Sequence, residues 1–268
     1  MSKQTGILTA AEGAVVTVEN ASGSSPVLLV CEHASLRLPE SLGTLGLSPE
    51  TLTAHIAWDP GALAIARLLS ARFDATLVFQ NFSRLVYDCN RPPESPDAMP
   101  AVSEVFDIPG NVNIEAAQRQ ARIDEIYRPW RGQLKETISA RKAARRQTVL
   151  VTIHTFTPVY KGVAREVEIG ILHDRDARLA DKMLARARGR YDCRIERNQP
   201  YGPADGVTHT LVEHGLANGL LNVMIEVRND LVRDEAGQSK ICGLLEALVS
   251  ESLAEENVRG NNTADAAS

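Results

Sequence analysis

Short apolar runs separated by amphipathic stretches make up most of this chain. The runs are rich in valine, isoleucine and leucine and are apolar on both faces, which is typical of strands in a mainly parallel sheet covered on both sides. We expect strands at 14–18, 27–31, 75–79, 148–153, 167–172 and 220–227, with a weaker one near 193–196.

Between these runs, apolar residues recur every three or four positions, as they do in helices with one buried face. The predicted helices cover 48–57, 61–73, 113–146, 177–190, 208–218 and 238–255. Pro129 is expected to kink or split the third of them, because proline removes a backbone hydrogen bond. Alternating strands and helices predict an α/β fold, with helices on both faces of a mainly parallel central sheet in a three-layer α/β/α domain.

The same pattern predicts one domain with a polar segment at each end. Residues 1–24 are polar and small, so we expect an N-terminal arm or an edge strand, followed by a single domain over 25–255. Residues 256–268 have almost no apolar content and are expected to be a disordered tail. Two long segments without periodicity, 81–112 and 196–206, are the natural walls of a ligand site in an open α/β sheet.

Composition narrows the class of protein. The net charge of -5 and the pI near 5.7 argue against nucleic acid or an acidic membrane surface as the main partner. The four cysteines form no C-x-x-C pair, which favours a reducing compartment and excludes a structural zinc ribbon. No apolar run is long enough to span a membrane, and no targeting pattern opens the chain. We therefore expect a cytoplasmic protein.

Three of the predicted strands end in polar clusters, "VLLVCEH", "TVLVTIHT" and "NVMIEVRND". They carry His33, His154 and Glu226 at their carboxyl ends. Neighbouring parallel strands would bring these groups to one edge of the sheet. Two imidazoles and a carboxylate there predict a zinc site, or two ligands with a general base. Arg228, two positions beyond Glu226, could hold a substrate carboxylate or steady Glu226.

Asp59, in "AWDPGA", has two interpretations. An aspartate before Pro-Gly at a helix start is an ordinary N-cap or turn residue. It could instead complete the predicted site as a third hard ligand.

The segment "NFSRLVYDCNRP" (81–92) is the densest polar motif and contains Arg84, Asn90 and Arg91. Two guanidinium groups near the edge of a site suit bidentate binding of carboxylates. Alternatively, Arg84 pairs with Asp88 and only holds a loop.

Cys31 is a further candidate nucleophile, but it ends an aliphatic run, so we expect it to pack inside the protein. The chain contains no G-x-S-x-G elbow, no G-x-G-x-x-G after a strand and no P-loop motif. The sequence therefore excludes serine hydrolases of the α/β type, dinucleotide binding and P-loop chemistry.

Together the motifs resemble the N-formylglutamate amidohydrolase family. The resemblance runs in order through "CEHAS", "HIAWDPGA", "NFSRLVYDCNRP", "VTIHTFTP", "EIGILHDRD" and "NVMIEVRND", over about residues 25 to 250. It implies a fold like that of the zinc exopeptidases, with a mixed sheet, and hydrolysis of formylglutamate to formate and glutamate. Family members often have His-Ser-Gly where this chain has His33-Ala34-Ser35, which indicates a divergent branch.

The resemblance also implies roles for residues. Zn²⁺ would be bound by His33, His154 and, as the third ligand, Asp59, with the Glu32 beside His33 as the alternative, and Glu226 would be the general base of metal-assisted amide hydrolysis. The substrate would be a small acidic N-acyl amino acid, and the protein could form a homo-oligomer. Another N-acyl amino acid, a small peptide, or a binding role without catalysis remain alternatives. The residues expected to bind substrate are Arg84, Asn90, Arg91 and Arg228.

Overall fold

The computed structural model describes residues 6–255 and shows a central sheet between two layers of helices. The strands are β1 (Val16–Glu19), β2 (Val27–Cys31), β3 (Thr76–Gln80), β4 (Val102–Ser103), β5 (Phe106–Asp107), β6 (Val149–Phe156), β7 (Val159–Tyr160), β8 (Val163–Ala164), β9 (Ile169–Leu172), β10 (Ile195–Arg197) and β11 (Leu221–Arg228). The helices are α1 (Pro49–Leu52), α2 (Ala62–Phe73), α3 (Ala116–Arg122), α4 (Arg128–Ala143), α5 (Arg178–Ala187) and α6 (Glu235–Glu255).

The central sheet has seven strands in the order β1-β3-β2-β6-β11-β9-β10. The strands β3, β2, β6 and β11 run parallel to one another, so their carboxyl ends lie at one edge. Strand β1 is antiparallel to β3, and β9 is antiparallel to β11. The predicted fold class, a three-layer α/β/α domain with a mainly parallel, mixed sheet, is confirmed.

Side chains alternate along each strand, so successive residues pack against the helices on opposite faces of the sheet. In β2, Leu29 and Cys31 pack in the cluster that contains the apolar faces of α2, α5 and α6. Leu28 and Val30 pack in the opposite cluster, which contains the apolar face of α4. On α4 that face repeats every four residues as Trp130, Leu134 and Ile138, all buried. Burying each such side chain stabilises the fold by about 1.5–3 kcal/mol.

Two predicted helices differ from the observed ones. The predicted helix 48–57 is only the single turn α1, since the Thr53 hydroxyl donates to the Glu50 carbonyl (2.9 Å) where the turn ends. The predicted helix 113–146 is divided into α3, a wide turn at Ile123–Tyr127, and α4. Pro129 lies in the first turn of α4, where its missing N–H group costs no hydrogen bond.

The structure describes only part of the two chain ends. Strand β1 forms an edge of the central sheet, and the backbone N–H groups of Ile7 and Leu8 donate to the Glu125 carboxylate. The predicted tail, 256–268, lies outside the described residues. Within residues 6–255, no helix is both long and apolar enough to cross a membrane.

Candidate active site and metal centre

The site lies where β2, β6 and β11 end. Glu226 of β11 is the register partner of His154 of β6, so the two side chains stand side by side on one face of the sheet. Strand β2 ends at Cys31, and the chain turns at Glu32 and His33. This turn brings the His33 ring to 4.8 Å from the His154 ring, measured between centroids.

Three donor atoms meet in a triangle at this edge. His33 Nδ1 and His154 Nδ1 lie 3.2 Å apart, and Asp59 Oδ2 lies 3.2 Å from the first nitrogen and 3.0 Å from the second. A tetrahedral zinc ion with bonds of about 2.0–2.1 Å separates its ligand atoms by about 3.3 Å. All three side chains are buried, with 2–3% exposure. The donor types and their spacing therefore fit zinc.

Asp59 is a member of this triangle and does not cap the helix that follows it. The N-cap of α2 is Gly61, whose φ of 86° a residue with a side chain rarely adopts. The Asp59 backbone N–H donates to the His33 carbonyl (2.9 Å), which fixes the segment beside the first histidine. Its carboxylate also accepts a hydrogen bond from Thr155 N (3.3 Å), so three segments converge on this side chain.

The outer nitrogen of each histidine faces a second carboxylate. His33 Nε2 lies 2.8 Å from Asp88 Oδ1, and His154 Nε2 lies 3.1 Å from Glu32 Oε2. Carboxylates in this position orient metal-binding histidines and raise their basicity. Of the two residues considered for the third ligand, Asp59 belongs to the triangle, while Glu32 lies behind His154.

The surroundings of the triangle stabilise the ionised forms of Asp59 and His154. Burial acts to raise the pKa of Asp59, but the facing His33 and His154 outweigh it and hold that pKa well below its usual range. Burial acts to lower the pKa of His154, but Glu32 and Asp59 outweigh it and raise that pKa well above its usual range. The carboxylates thus stabilise positive charge at this point, whether it is a proton or a metal ion that displaces one.

Glu226 lies beside the triangle and is buried, with 5% exposure. Its Oε2 atom has no hydrogen-bond partner among residues 6–255. Burial raises the pKa of Glu226 to about 7, with the nearby Asp59 adding to the shift against the opposing effect of His154. A carboxyl group with a free oxygen and a pKa near neutrality can both take up and release a proton.

These groups line a cavity of about 500 Å³. Two small hairpins, β4–β5 and β7–β8, contribute residues to its wall. A hydrogen bond joins the two hairpins, in which the Lys161 backbone N–H donates to the Glu104 carboxylate (2.8 Å). The same carboxylate lies 2.7 Å from His55 Nε2. The segments 81–112 and 196–206, predicted to be site walls, both contribute lining residues, among them Asp88 and Tyr201.

Comparison with known proteins places the chain in a family. The sequence profile of the N-formylglutamate amidohydrolase family matches residues 25–233. The chain belongs to this family. The family is a hydrolase family, and the predicted resemblance is confirmed.

Two solved structures are similar to this member of the N-formylglutamate amidohydrolase family. Gene product Atu2144 from Agrobacterium tumefaciens shares 59% identity over 93% of this chain and 99% of its own, with a TM-score of 0.92. N-formylglutamate amidohydrolase from Ralstonia eutropha JMP134 shares 20% identity over 90% of this chain and 98% of its own, with a TM-score of 0.59, and so supports the fold. A search of curated proteins gave no significant match.

Of the four residues predicted to bind substrate in this amidohydrolase-family chain, Arg84, Asn90 and Arg91 line the cavity and Arg228 does not. Arg84 lines the cavity and pairs with Asp88 (2.5 Å) and Asp59 (3.4 Å). Arg91 also lines it and donates to the Gly206 carbonyl (2.7 Å).

Asn90 and Arg228 use their side chains for hydrogen bonds to other parts of the protein. Asn90 lines the cavity, but its amide donates to the Val207 carbonyl (2.5 Å) and accepts from Thr210 N (3.0 Å). Arg228 does not line the cavity, and its guanidinium donates to Asp230 (2.8 Å) and to the Arg165 carbonyl (3.1 Å).

Sequence reasoning missed two groups in this family member's site. Asp88 was considered only as a partner of Arg84, although its position inside the densest polar motif was a usable signal. Arg165 and the tyrosines Tyr160 and Tyr201 lie on connections without periodicity, where no sequence pattern indicated that they line the cavity.

Cys31 is packed in the core, as expected. It is fully buried beneath the helices of one face, and burial raises the pKa of its thiol well above the usual range. A protonated thiol in this position is a poor nucleophile.

Proposed function

We propose that this protein is a metal-dependent amidohydrolase that cleaves the N-acyl amide of an acidic amino acid such as N-formylglutamate. The observation that carries the proposal is the buried triangle of two imidazole nitrogens and one carboxylate oxygen beside an unpartnered glutamate. Membership of the N-formylglutamate amidohydrolase family supports the reaction class.

The metal ligands in this proposal are His33, Asp59 and His154, the three groups whose donor atoms converge. The proposed cofactor is Zn²⁺, because imidazole nitrogens and a carboxylate oxygen at this spacing suit its tetrahedral geometry. In such a site zinc acts as a Lewis acid that polarises a carbonyl group and makes water acidic near neutral pH. Asp88 and Glu32 hold the two imidazole rings in the required orientation.

Glu226 is the general base of the proposed reaction. It takes a proton from water as the water attacks the acyl carbon, and it passes that proton to the leaving amine. Its pKa of about 7 lets it perform both transfers at neutral pH. The burial that raises this pKa also excludes bulk water from the carboxyl group.

Two cations serve substrate binding in the proposed complex. Arg84, beside the triangle, and Arg91, in the same wall, would contact the carboxylate next to the scissile amide. Asn90 holds the 81–92 segment against residues 207–210. Arg228 supports the backbone at Arg165 instead of touching the substrate.

Metal analysis combined with a formate-release assay tests this function. The wild type is expected to bind about one zinc ion per chain and to release formate from N-formylglutamate. His33→Ala and His154→Ala should lose both properties, while Glu226→Gln should keep the metal and lose turnover. His173→Ala is the matched control, since His173 is a half-buried histidine outside the cavity.

Two outcomes would contradict the proposal. One is wild-type protein that binds no zinc and shows no change of melting temperature when zinc is added. The other is unchanged turnover in His154→Ala.

The acyl group is a separate question. A cavity of about 500 Å³ lies within the usual size range of small-molecule sites and would also admit an acyl group larger than formyl. A panel of N-formyl, N-acetyl and N-succinyl glutamate separates these substrates by the acid that each releases.

A further inference from the structure

Arg165 lies in the cavity wall among three aromatic rings. The carbon at the centre of its guanidinium is 4.5 Å from the centre of the Tyr160 ring and 4.7 Å from that of Tyr201. The Phe156 ring centre is 5.5 Å away. All four residues line the same cavity as the donor triangle. Stacking of this kind attracts the cation to the ring faces and fixes the plane of the guanidinium.

The charge of Arg165 is not neutralised by the protein. Among residues 6–255 it forms no ion pair with a carboxylate, and the bond from its Nη1 to the Thr157 carbonyl is long, at 3.4 Å. Arg84, by contrast, directs Nη1 and Nη2 toward Asp59 and Asp88, so only its remaining N–H donors can serve the contact proposed above. Since a guanidinium has five N–H donors, Arg165 retains donors for a further carboxylate.

Hydrogen bonds to its carbonyl and N–H groups hold the Arg165 backbone in place. The Arg228 guanidinium donates to the Arg165 carbonyl (3.1 Å) and is itself bonded to Asp230 (2.8 Å). The Arg165 N–H donates to the Pro158 carbonyl (2.8 Å), which closes the β7–β8 hairpin. The side chain is therefore presented from a fixed segment, which lowers the entropy lost when it binds a ligand.

Tyr201 connects this arginine to the catalytic side of the cavity. Burial raises the pKa of Tyr201 to about 12, the charge of Glu226 adds to the shift, and the charge of Arg165 opposes it. The Tyr201 side chain is thus within electrostatic range of both Glu226 and the Arg165 guanidinium. Glu226, Tyr201 and Arg165 all line one cavity, so a substrate whose amide is at Glu226 shares that cavity with Arg165.

We propose that Arg165 is a specificity-determining residue that binds the distal, side-chain carboxylate of an acidic substrate. This rests on the proposed function, in which Arg84 and Arg91 take the carboxylate next to the amide. A dicarboxylate needs a second cation further along the cavity, and Arg165 has the free donors for it. The site would then select acidic N-acyl amino acids over neutral ones of the same size.

A pair of substrates that differ by one charge tests the selection. N-formylglutamate and N-formylglutamine have nearly the same shape. Arg165→Gln is expected to lower kcat/KM for N-formylglutamate on the order of 30-fold and for N-formylglutamine less than about 3-fold, because a charge-assisted bidentate contact is lost only for the first. Arg165→Lys should fall between, since it keeps the charge and loses the planar fork.

Arg67→Gln is the matched control. Arg67 is also an arginine over an aromatic ring, that of Phe79, but it lies outside the cavity and pairs with Glu19. It should leave kcat/KM unchanged for both substrates. An equal loss on both substrates in Arg165→Gln, or no loss on either, would overturn the proposal.

A binding measurement keeps this test separate from the proposed function. Wild-type protein should bind glutarate more tightly than its monoamide, glutaramate, in calorimetric titrations, and Arg165→Gln should remove that difference. If the wild type hydrolyses no amide but shows this Arg165-dependent preference, the proposed function fails and the carboxylate site stands. If the preference survives in Arg165→Gln, the inference fails whatever the enzyme hydrolyses.

Discussion

Each histidine of the triangle uses its two ring nitrogens for different partners. The Nδ1 atoms of His33 and His154 point at Asp59, while their Nε2 atoms face Asp88 and Glu32. The strand-end pattern predicted that the two histidines and Glu226 lie close together, and in the structure they do. The sequence favoured Asp59 over Glu32 as the third ligand but could not exclude Glu32, because the choice depends on which way each ring turns.

Asp88 offers a test at this scale. Asp88→Asn keeps the size of the side chain and removes the negative charge behind His33, so we expect zinc affinity to fall by about 10-fold to 100-fold. Competition with a chelator of known affinity measures the change. Asp181→Asn, which alters an exposed carboxylate paired with Arg197, should leave the affinity unchanged. Equal zinc affinities in wild type and Asp88→Asn would contradict an orienting role.

At the scale of elements, the register between strands places the site. Strands β6 and β11 pair along eight residues each, which puts Glu226 directly beside His154. Apolar runs predicted these strands to within a few residues, because burial on both faces requires apolar side chains throughout. The antiparallel direction of β9 and the two hairpins around the cavity left no comparable signal, since they depend on connections without periodicity.

Gly170 in β9 shows how tightly one of these connections packs. A Cβ at this position would collide with the carbonyl oxygen of Gln199. Gly170→Ala is therefore expected to lower the free energy of unfolding by about 2 kcal/mol or more, measured by urea denaturation. Gly132 in α4 has open space around its Cβ position. Gly132→Ala should instead raise that free energy by about 0.5–1 kcal/mol. The same sign for both changes would contradict this packing.

At the scale of the whole molecule, the fold buries ionisable groups that affect its stability as well as its chemistry. His214 lies in the wide turn Leu211–Gly215, packed against β11, and is 5% exposed. Burial lowers the pKa of His214 to about 4. Between pH 6.5 and pH 4 the unfolded chain therefore binds more protons at this residue than the folded chain, and folding stability falls as the pH decreases.

The His214→Asn variant isolates this contribution from that of other groups. We expect the wild type to lose about 2 kcal/mol more stability than the variant when the pH is lowered from 7 to 5. The difference between the two proteins cancels the opposite trend of Glu226, whose raised pKa favours the folded state at low pH. Urea denaturation at both pH values measures it, and parallel losses in the two proteins would show that His214 titrates normally.

The sequence by itself determined the layered α/β fold and the strands that end at the site, and it predicted that His33, His154 and Glu226 lie together at one edge of the sheet. It could do so because buried, parallel strands require short runs of apolar residues, which are visible in the local sequence. Only the tertiary structure decided that Asp59 completes the triangle, that Asp88 and Glu32 lie behind the histidines, and that Arg228 supports Arg165 from outside the cavity. These relations join residues that are far apart in the chain, 95 positions in the case of Asp59 and His154. They depend on ring orientation and loop path, which no local pattern of residues encodes.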